Sequence, residues 1–351
     1  MNRLLSQFAI TENPRDCKPY GHGHINGTFL VTCDTGRKYI LQSINTGIFT
    51  QPAQLMENFS AVTDHIAGKN QTTLHLIPTK DGKLFYQEPA GECWRLLDFV
   101  DSTICLQQVE SAQDFYNTGL AFGQFQQYLA DFPADTLYEV IANFHNTLSR
   151  YAQLHKAISV NFENRLSGCQ SELEFALNRE QEAGVIVEKL EQGLLPLRVT
   201  HNDTKLNNIL FDATTRKPLC VIDLDTVMPG SVLYDFGDAI RFGASTAAED
   251  EQDLSKVSCD MDLFRAYTEG FLAGCDGNLT ELEIQMLPVG AKIITLECGI
   301  RFLTDYLNGD TYFRTQYPDQ NLHRARTQFK LVADMESKWE RMHTIVKEIA
   351  K

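Results

Sequence analysis

The run His201-Asn202-Asp203-Thr204-Lys205-Leu206-Asn207-Asn208, followed by Ile222-Asp223-Leu224-Asp225, holds the residue types that phosphoryl transfer requires. That reaction asks little covalent chemistry of a protein; it needs a carboxylate beside the attacking hydroxyl and oxygen ligands that hold a divalent cation against the phosphates. In the spacing H-x-D-x-x-x-x-N, Asp203 is the candidate catalytic base and contacts the substrate hydroxyl. Asn208 and Asp223 are candidate metal ligands, and Asp225, two residues on and on the same face, is a further one. ATP and Mg2+ are the cofactors such a set would serve. The plainer alternative is that Asp203 and Asn208 only form turns and cap helices.

A second cluster is Tyr20-Gly21-His22-Gly23-His24-Ile25-Asn26-Gly27-Thr28-Phe29. Gly21 and Gly23 would let the backbone approach phosphate oxygens closely. A glycine-rich turn alone is a weak signal and also suits an ordinary hairpin. Its position before a strand, with a catalytic-type loop downstream, favours a loop that covers phosphates. His22 and His24 are ligand neighbours with no assigned role.

These residues need elements to hold them. Thr28–Thr32 and Lys38–Leu41 are β-branched or aromatic and flank Asp34-Thr35-Gly36, a hairpin signature, with another strand expected before the glycine turn. Leu55, Phe59, Val62 and Ile66 give helical spacing over 53–67, and strands are expected at 73–77 and 93–100. From about Ser111 the texture is helical, interrupted at about 198–225, where Asn208–Phe211 and Leu219–Asp223 read as a hairpin around a polar turn. A sheet-plus-helix lobe over 1–100 and a mostly helical lobe over 101–351 follow. That makes the fold class α+β.

Composition agrees. A chain of 351 residues is long for one core, and two lobes leave a cleft. Hydrophobic residues make up 43% and charged residues 22%, enough for a full interior. The net charge of -15 would repel a nucleic-acid backbone. Nine scattered cysteines include no C-x-x-C pair, which argues for reduced thiols over a disulfide framework or zinc site. No apolar stretch approaches membrane-spanning length and the N-terminus is too interrupted for a signal peptide, so a cytoplasmic protein is expected. Oligomeric state is left open.

The H-x-D-x-x-x-x-N then I-D-x-D arrangement resembles the aminoglycoside phosphotransferase and choline kinase superfamily, which implies a bilobal protein-kinase-like fold. Asn26 and Thr28 fit that family's glycine-loop pattern of Asn-x-Thr before an aromatic residue. Where kinases carry a strand lysine that contacts the phosphates and pairs with a helix glutamate, this chain has Gln42 after Tyr39-Ile40-Leu41. Phosphate stabilisation would then rest on magnesium or another cation, with Glu57 either the helix partner or a solvated surface residue. The missing lysine also permits a non-catalytic nucleotide-binding relative. Asp235-Phe236-Gly237 spells the metal-binding triplet of protein kinases but lies too far beyond the hairpin; the resemblance makes Asp235 a buttress of the catalytic loop.

Longer matches narrow the resemblance. The catalytic run, Ile222–Gly230, Tyr234–Gly243, Leu41–Thr46, Asn143–Thr147 and Arg301–Leu307 look like the N-acetylhexosamine 1-kinase branch. That branch moves the γ-phosphate of ATP to the anomeric hydroxyl of N-acetylglucosamine or N-acetylgalactosamine, and Gln42 is one of its features. The resemblance implies that Arg301, Tyr312 and Phe242 contact the sugar, although Phe242 also suits a core. His145 reads as a structural histidine. Glu297, Arg301 and Asp305, spaced by four, also suit a surface ion-pair row.

Overall fold

The computed structural model describes residues 2–21 and 25–351. His22, Gly23 and His24 of the glycine-rich turn lie outside the described residues.

Six antiparallel strands build the N-terminal sheet: β1 (Pro14–Pro19), β2 (Gly27–Cys33), β3 (Lys38–Ile44), β4 (Leu76–Ile77), β5 (Tyr86–Gln87) and β6 (Cys93–Asp98). The order is β1-β2-β3-β6-β4, with β5 also on β6. The hairpin at Asp34-Thr35-Gly36 forms as expected, whereas the strand before the glycine turn ends at Pro19, ahead of Tyr20. Prolines at both ends of β1 are tolerated because it is an edge strand.

Alternation along the strands splits their side chains between two layers. Val31, Tyr39, Leu41 and Leu96 pack on Leu4, Leu5 and Phe8. Ile44, Cys93 and Leu97 face the helix Pro52–Gly68 and its Leu55, Met56, Phe59 and Val62. Arg95 shares that helix-facing side, an unusual place for a guanidinium, and in register stands opposite Gln42, which stands opposite Thr28. One cross-strand row, Thr28-Gln42-Arg95, therefore runs across the sheet.

After β7 (Thr103–Ile104) the chain is mainly helical, apart from β8 (Arg198–Thr200), β9 (Ile209–Asp212), β10 (Pro218–Val221) and β11 (Met228–Gly230). The order β10-β9-β7 forms one small sheet and β11-β8 another. Helix Ala112–Tyr128 crosses helix Met261–Cys275 at backbone contact: a Cβ on Gly270 would stand 2.0 Å from the Tyr116 carbonyl oxygen, and one on Gly119 2.3 Å from that of Tyr267. Helix Leu287–Leu307 runs through the interior and is buried on nearly every side. It packs on Val232–Gly243, Thr147–Val160 and Gln320–Ser337. Of the nine cysteines, all unpaired, six are buried and Cys105 is exposed. Among the described residues no helix is long and apolar enough to cross a membrane.

Candidate active site

The loop His201–Asn208 joins β8 to β9, and its shape is set by the helix Val232–Gly243. Asp235, in that helix's first turn and fully buried, accepts the backbone N–H of His201 at 3.0 Å and of Asn202 at 2.8 Å, and the Gln126 amide at 2.9 Å. Asp238, one turn on, accepts the N–H of Thr204 at 3.0 Å. Burial pushes the Asp235 carboxyl above its ordinary range despite these donors. Asn202 takes a positive φ of 65°, which asparagine tolerates better than most residues, and donates to the Thr226 carbonyl at 2.8 Å. His201 is wholly buried; its Nε2–H donates to the Ile222 carbonyl at 2.9 Å and its Nδ1 accepts the Asp203 N–H at 3.3 Å, which assigns the neutral tautomer. A loop tied at so many backbone groups presents Asp203 in one orientation.

Asp203 is half-buried and holds two neighbours. Lys205 Nζ lies 2.6 Å from Oδ1, and Asn208 Nδ2 donates to Oδ2 at 2.9 Å and to the Asp203 carbonyl at 2.8 Å. Burial works against the Lys205 charge, but Asp203 and Asp238 outweigh it and hold the ammonium above its ordinary range. Among the described residues nothing hydrogen-bonds the Asn208 amide oxygen, which suits a cation. Asp223 follows β10 at φ 61° and is exposed. Protein crowded round its carboxyl, then the charges of Asp225 and Asp203, push it up to about 6. A carboxylate pressed against two others suits a cation.

Among the described residues no three His, Cys, Asp or Glu side chains group as a cation site by themselves. Asn208 and Asp223 fit a cation that takes its other oxygens from phosphate and water, as magnesium does. A surface hollow of about 630 Å3 lined by Arg37, Lys38, His75 and Phe99 shares no residue with this site, so the donor chemistry rather than concavity locates it.

Asp225 departs from the expectation of a metal ligand. It is buried, and both of its oxygens are engaged: Arg95 forks onto it through Nη1 and Nη2, the latter at 3.0 Å, and Asn26 Nδ2 donates to Oδ2. Gln42 and Thr28 also turn inward. Arg95 Nε donates to Gln42 Oε1 at 2.9 Å, and Gln42 Nε2 donates to Thr28 Oγ1 at 3.1 Å. Gln42 therefore spends its amide on the protein. Glu57 is exposed and its carboxylate holds the Tyr138 phenol above its ordinary range, while Met56 and Phe59 face Arg95, so the glutamate of this helix does not serve the row. Gly21 adopts φ 76° and is exposed. Arg95 is the residue that sequence reasoning missed; its signal was a lone charge at a helix-facing position of an apolar strand.

The helix Leu287–Leu307 carries the remaining candidates. Glu297, Arg301 and Asp305 do not form a surface ion-pair row. Glu297 is buried and accepts from Thr147 Oγ1 at 2.6 Å and from His145 Nδ1 at 2.8 Å. Asp305 accepts the N–H groups of Thr311, Tyr312 and Phe313 and fixes that loop. Arg301 lies between the rings of Phe144 and Phe313, 5.4 and 5.5 Å from their centroids. Among the described residues, no protein group hydrogen-bonds its guanidinium. Burial and then the charge of Arg301 push Arg150 below its ordinary range. Tyr312 is 65% exposed and packs edge-on against Phe313. Phe242 is half-buried beside Arg241, which pairs with Asp238 and thus connects this side to the loop His201–Asn208.

The model of the phosphotransferase enzyme family (APH) matches residues 16–267, most of the chain. The chain belongs to this family. Its fold is similar to an aminoglycoside phosphotransferase from Alicyclobacillus acidocaldarius, at 14% identity and TM-score 0.66 over 98% of this chain and 96% of that one. It is also similar to a microcompartment-associated aminopropanol kinase (15%, TM-score 0.59, 97% of each chain) and to an amicoumacin kinase in complex with AMP-PNP, Ca2+ and Ami (13%, TM-score 0.63, 96% and 92%). The small sheet with one helix and the larger helical part form the two lobes of the kinase-like fold, a mixed α+β architecture.

Proposed function

We propose that this phosphotransferase uses ATP and magnesium to phosphorylate the anomeric hydroxyl of an N-acetylhexosamine, giving the sugar 1-phosphate. The observation that carries the kinase reading is the Asp203 carboxylate held between Lys205 and Asn208 on a loop anchored by Asp235. Asp203 takes the hydroxyl proton as the sugar oxygen bonds to the γ-phosphorus and the bond from that phosphorus to ADP breaks. Because an anomeric hydroxyl is more acidic than other sugar hydroxyls, one carboxylate suffices. Lys205, partly exposed beside Asp203, offers its charge to the moving phosphoryl oxygens. Asn208 and Asp223 would hold magnesium, which neutralises phosphate charge. The lobes 1–100 and 101–351 would carry nucleotide and acceptor respectively.

Arg301 supports a neutral acceptor. A guanidinium without a protein partner, flanked by two aromatic rings and near Arg150, suits hydroxyl or acetyl-carbonyl oxygens and disfavours an ammonium. Tyr312 and Phe242 would complete the sugar contacts. The second reading, a kinase of another small alcohol, draws on the amino-alcohol and aminoglycoside substrates named for the similar structures. ATP consumption with magnesium across N-acetylglucosamine, N-acetylgalactosamine, galactose, aminopropanol, choline and kanamycin separates the two. Phosphate on carbon one of an N-acetylhexosamine, located by phosphorus and proton NMR, is the expected result; turnover of an amine instead overturns the acceptor. ATP binding with no turnover of any acceptor would point to a nucleotide-binding pseudokinase.

A further inference from the structure

Five side chains close a ring at the start of β2, just after the glycine-rich turn. Asn26 donates to Asp225, Asp225 accepts the fork of Arg95, Arg95 Nε donates to Gln42, and Gln42 donates to Thr28, two residues from Asn26. Asn26 also accepts the backbone N–H of Asn45 at 2.9 Å, at the far end of β3. The ring joins the two lobes, because Asp225 lies in the turn that carries Asp223. Arg95 is 1% exposed, and Phe59 and Met56 pack on its guanidinium. It has no room to reach a ligand.

Resting on the kinase reading above, we infer that Arg95 is the positioning residue of the nucleotide site and supplies the cation that β3 lacks. Unlike a lysine that touches phosphate, this charge reaches no ligand: it sits one strand over, on β6, and takes over only the pairing role, with Asp225 of the opposite lobe. It sets Asn26 and Thr28, where the chain enters β2, in one register with the turn that carries Asp223. Gln42 is required in this arrangement as a link: with its amide nitrogen on Thr28, its oxygen faces Arg95. The inference concerns the placement of ATP and leaves the acceptor free.

The test is direct calorimetric binding of ATP with and without magnesium, beside KM and kcat. Removing Arg95 alone would strand the buried Asp225 charge and endanger folding. Two variants avoid this: Arg95→Lys keeps the charge but loses the fork, and Arg95→Met/Asp225→Leu replaces the pair by apolar residues of similar size. The expected result is ATP affinity lowered about tenfold or more in the double variant and less in Arg95→Lys. KM for ATP should rise with it while KM for the acceptor stays put. A folded double variant with wild-type ATP affinity would overturn the inference and leave the pair a structural one. Wild-type protein that binds no ATP would instead overturn the kinase reading itself.

Discussion

Lys205 and Asp203, two residues apart on one loop, bring an ammonium and a carboxylate to 2.6 Å with both partly open to solvent. Asp203→Asn keeps the shape and the neighbours but cannot accept a proton, so kcat should fall about a thousandfold while ATP binding is kept. Lys205→Met should lower kcat on the order of a hundredfold, since it removes charge from the path of the phosphoryl group and leaves the base in place. Steady-state kinetics with calorimetric ATP binding check both; turnover near wild type in Asp203→Asn would remove Asp203 from its role.

Asp235 is a loop anchor with a measurable cost. In Asp235→Ala the N–H groups of His201 and Asn202 lose their acceptor in a fully buried place. Each unpaired group costs about 1 to 3 kcal/mol, against some relief from removing a buried charge, so a net loss of about 3 kcal/mol in urea unfolding is expected. Turnover measured well below the unfolding midpoint should still drop at least about tenfold, because Asp203 loses its fixed orientation.

The loop His201–Asn208 and the β2–β3 hairpin were legible in the sequence because their signals are local: fixed spacing in one, period-two alternation about a glycine turn in the other. The network at Gln42 was not, because Arg95 and Asp225 lie 130 residues apart and only the fold brings them together. For Glu57, read as either a helix partner or a surface residue, the sequence already favoured the surface. The helical spacing of Leu55, Phe59, Val62 and Ile66 already places position 57 roughly 200° round the helix from Leu55, facing solvent. The stripe Glu297, Arg301 and Asp305 has ion-pair spacing, and nothing local reveals that its helix is buried on nearly all sides. Short strands such as β8 and β11 carry too few residues to show a period.

The helix crossing gives a stability prediction remote from the chemistry. Gly119 and Gly123 on one helix meet Gly270 and Gly274 on the other. Gly270→Ala would set a methyl group 2.0 Å from the Tyr116 carbonyl oxygen, and backbone has to move. A loss of about 3 kcal/mol in urea unfolding is expected. Gly68→Ala, where nothing stands within 4 Å, is the control and should be neutral or slightly stabilising.

Arg301 tests the acceptor. Arg301→Leu keeps the aromatic packing and removes the donors, so KM for an N-acetylhexosamine should rise about tenfold with KM for ATP unchanged. An equal rise in both would place Arg301 in general lobe architecture instead.

Asp223 ties stability to pH. Its folded carboxyl is raised from an ordinary 3.8 to about 6, so it binds its proton more tightly folded than unfolded. Its contribution to stability is fully present below about pH 4 and is lost as pH rises to about 6, where the folded carboxyl ionises among its neighbours. Asp223→Asn does not titrate and escapes that loss. In metal-free protein the variant should therefore gain on wild type between pH 4 and 6 and hold a constant advantage above. Because Asp223 is exposed, solvent screening reduces the gain to on the order of 1 kcal/mol. Urea unfolding of both proteins across pH 4 to 8 checks this, and parallel curves would show that the crowded carboxylates at Asp203, Asp223 and Asp225 do not repel one another in the folded state.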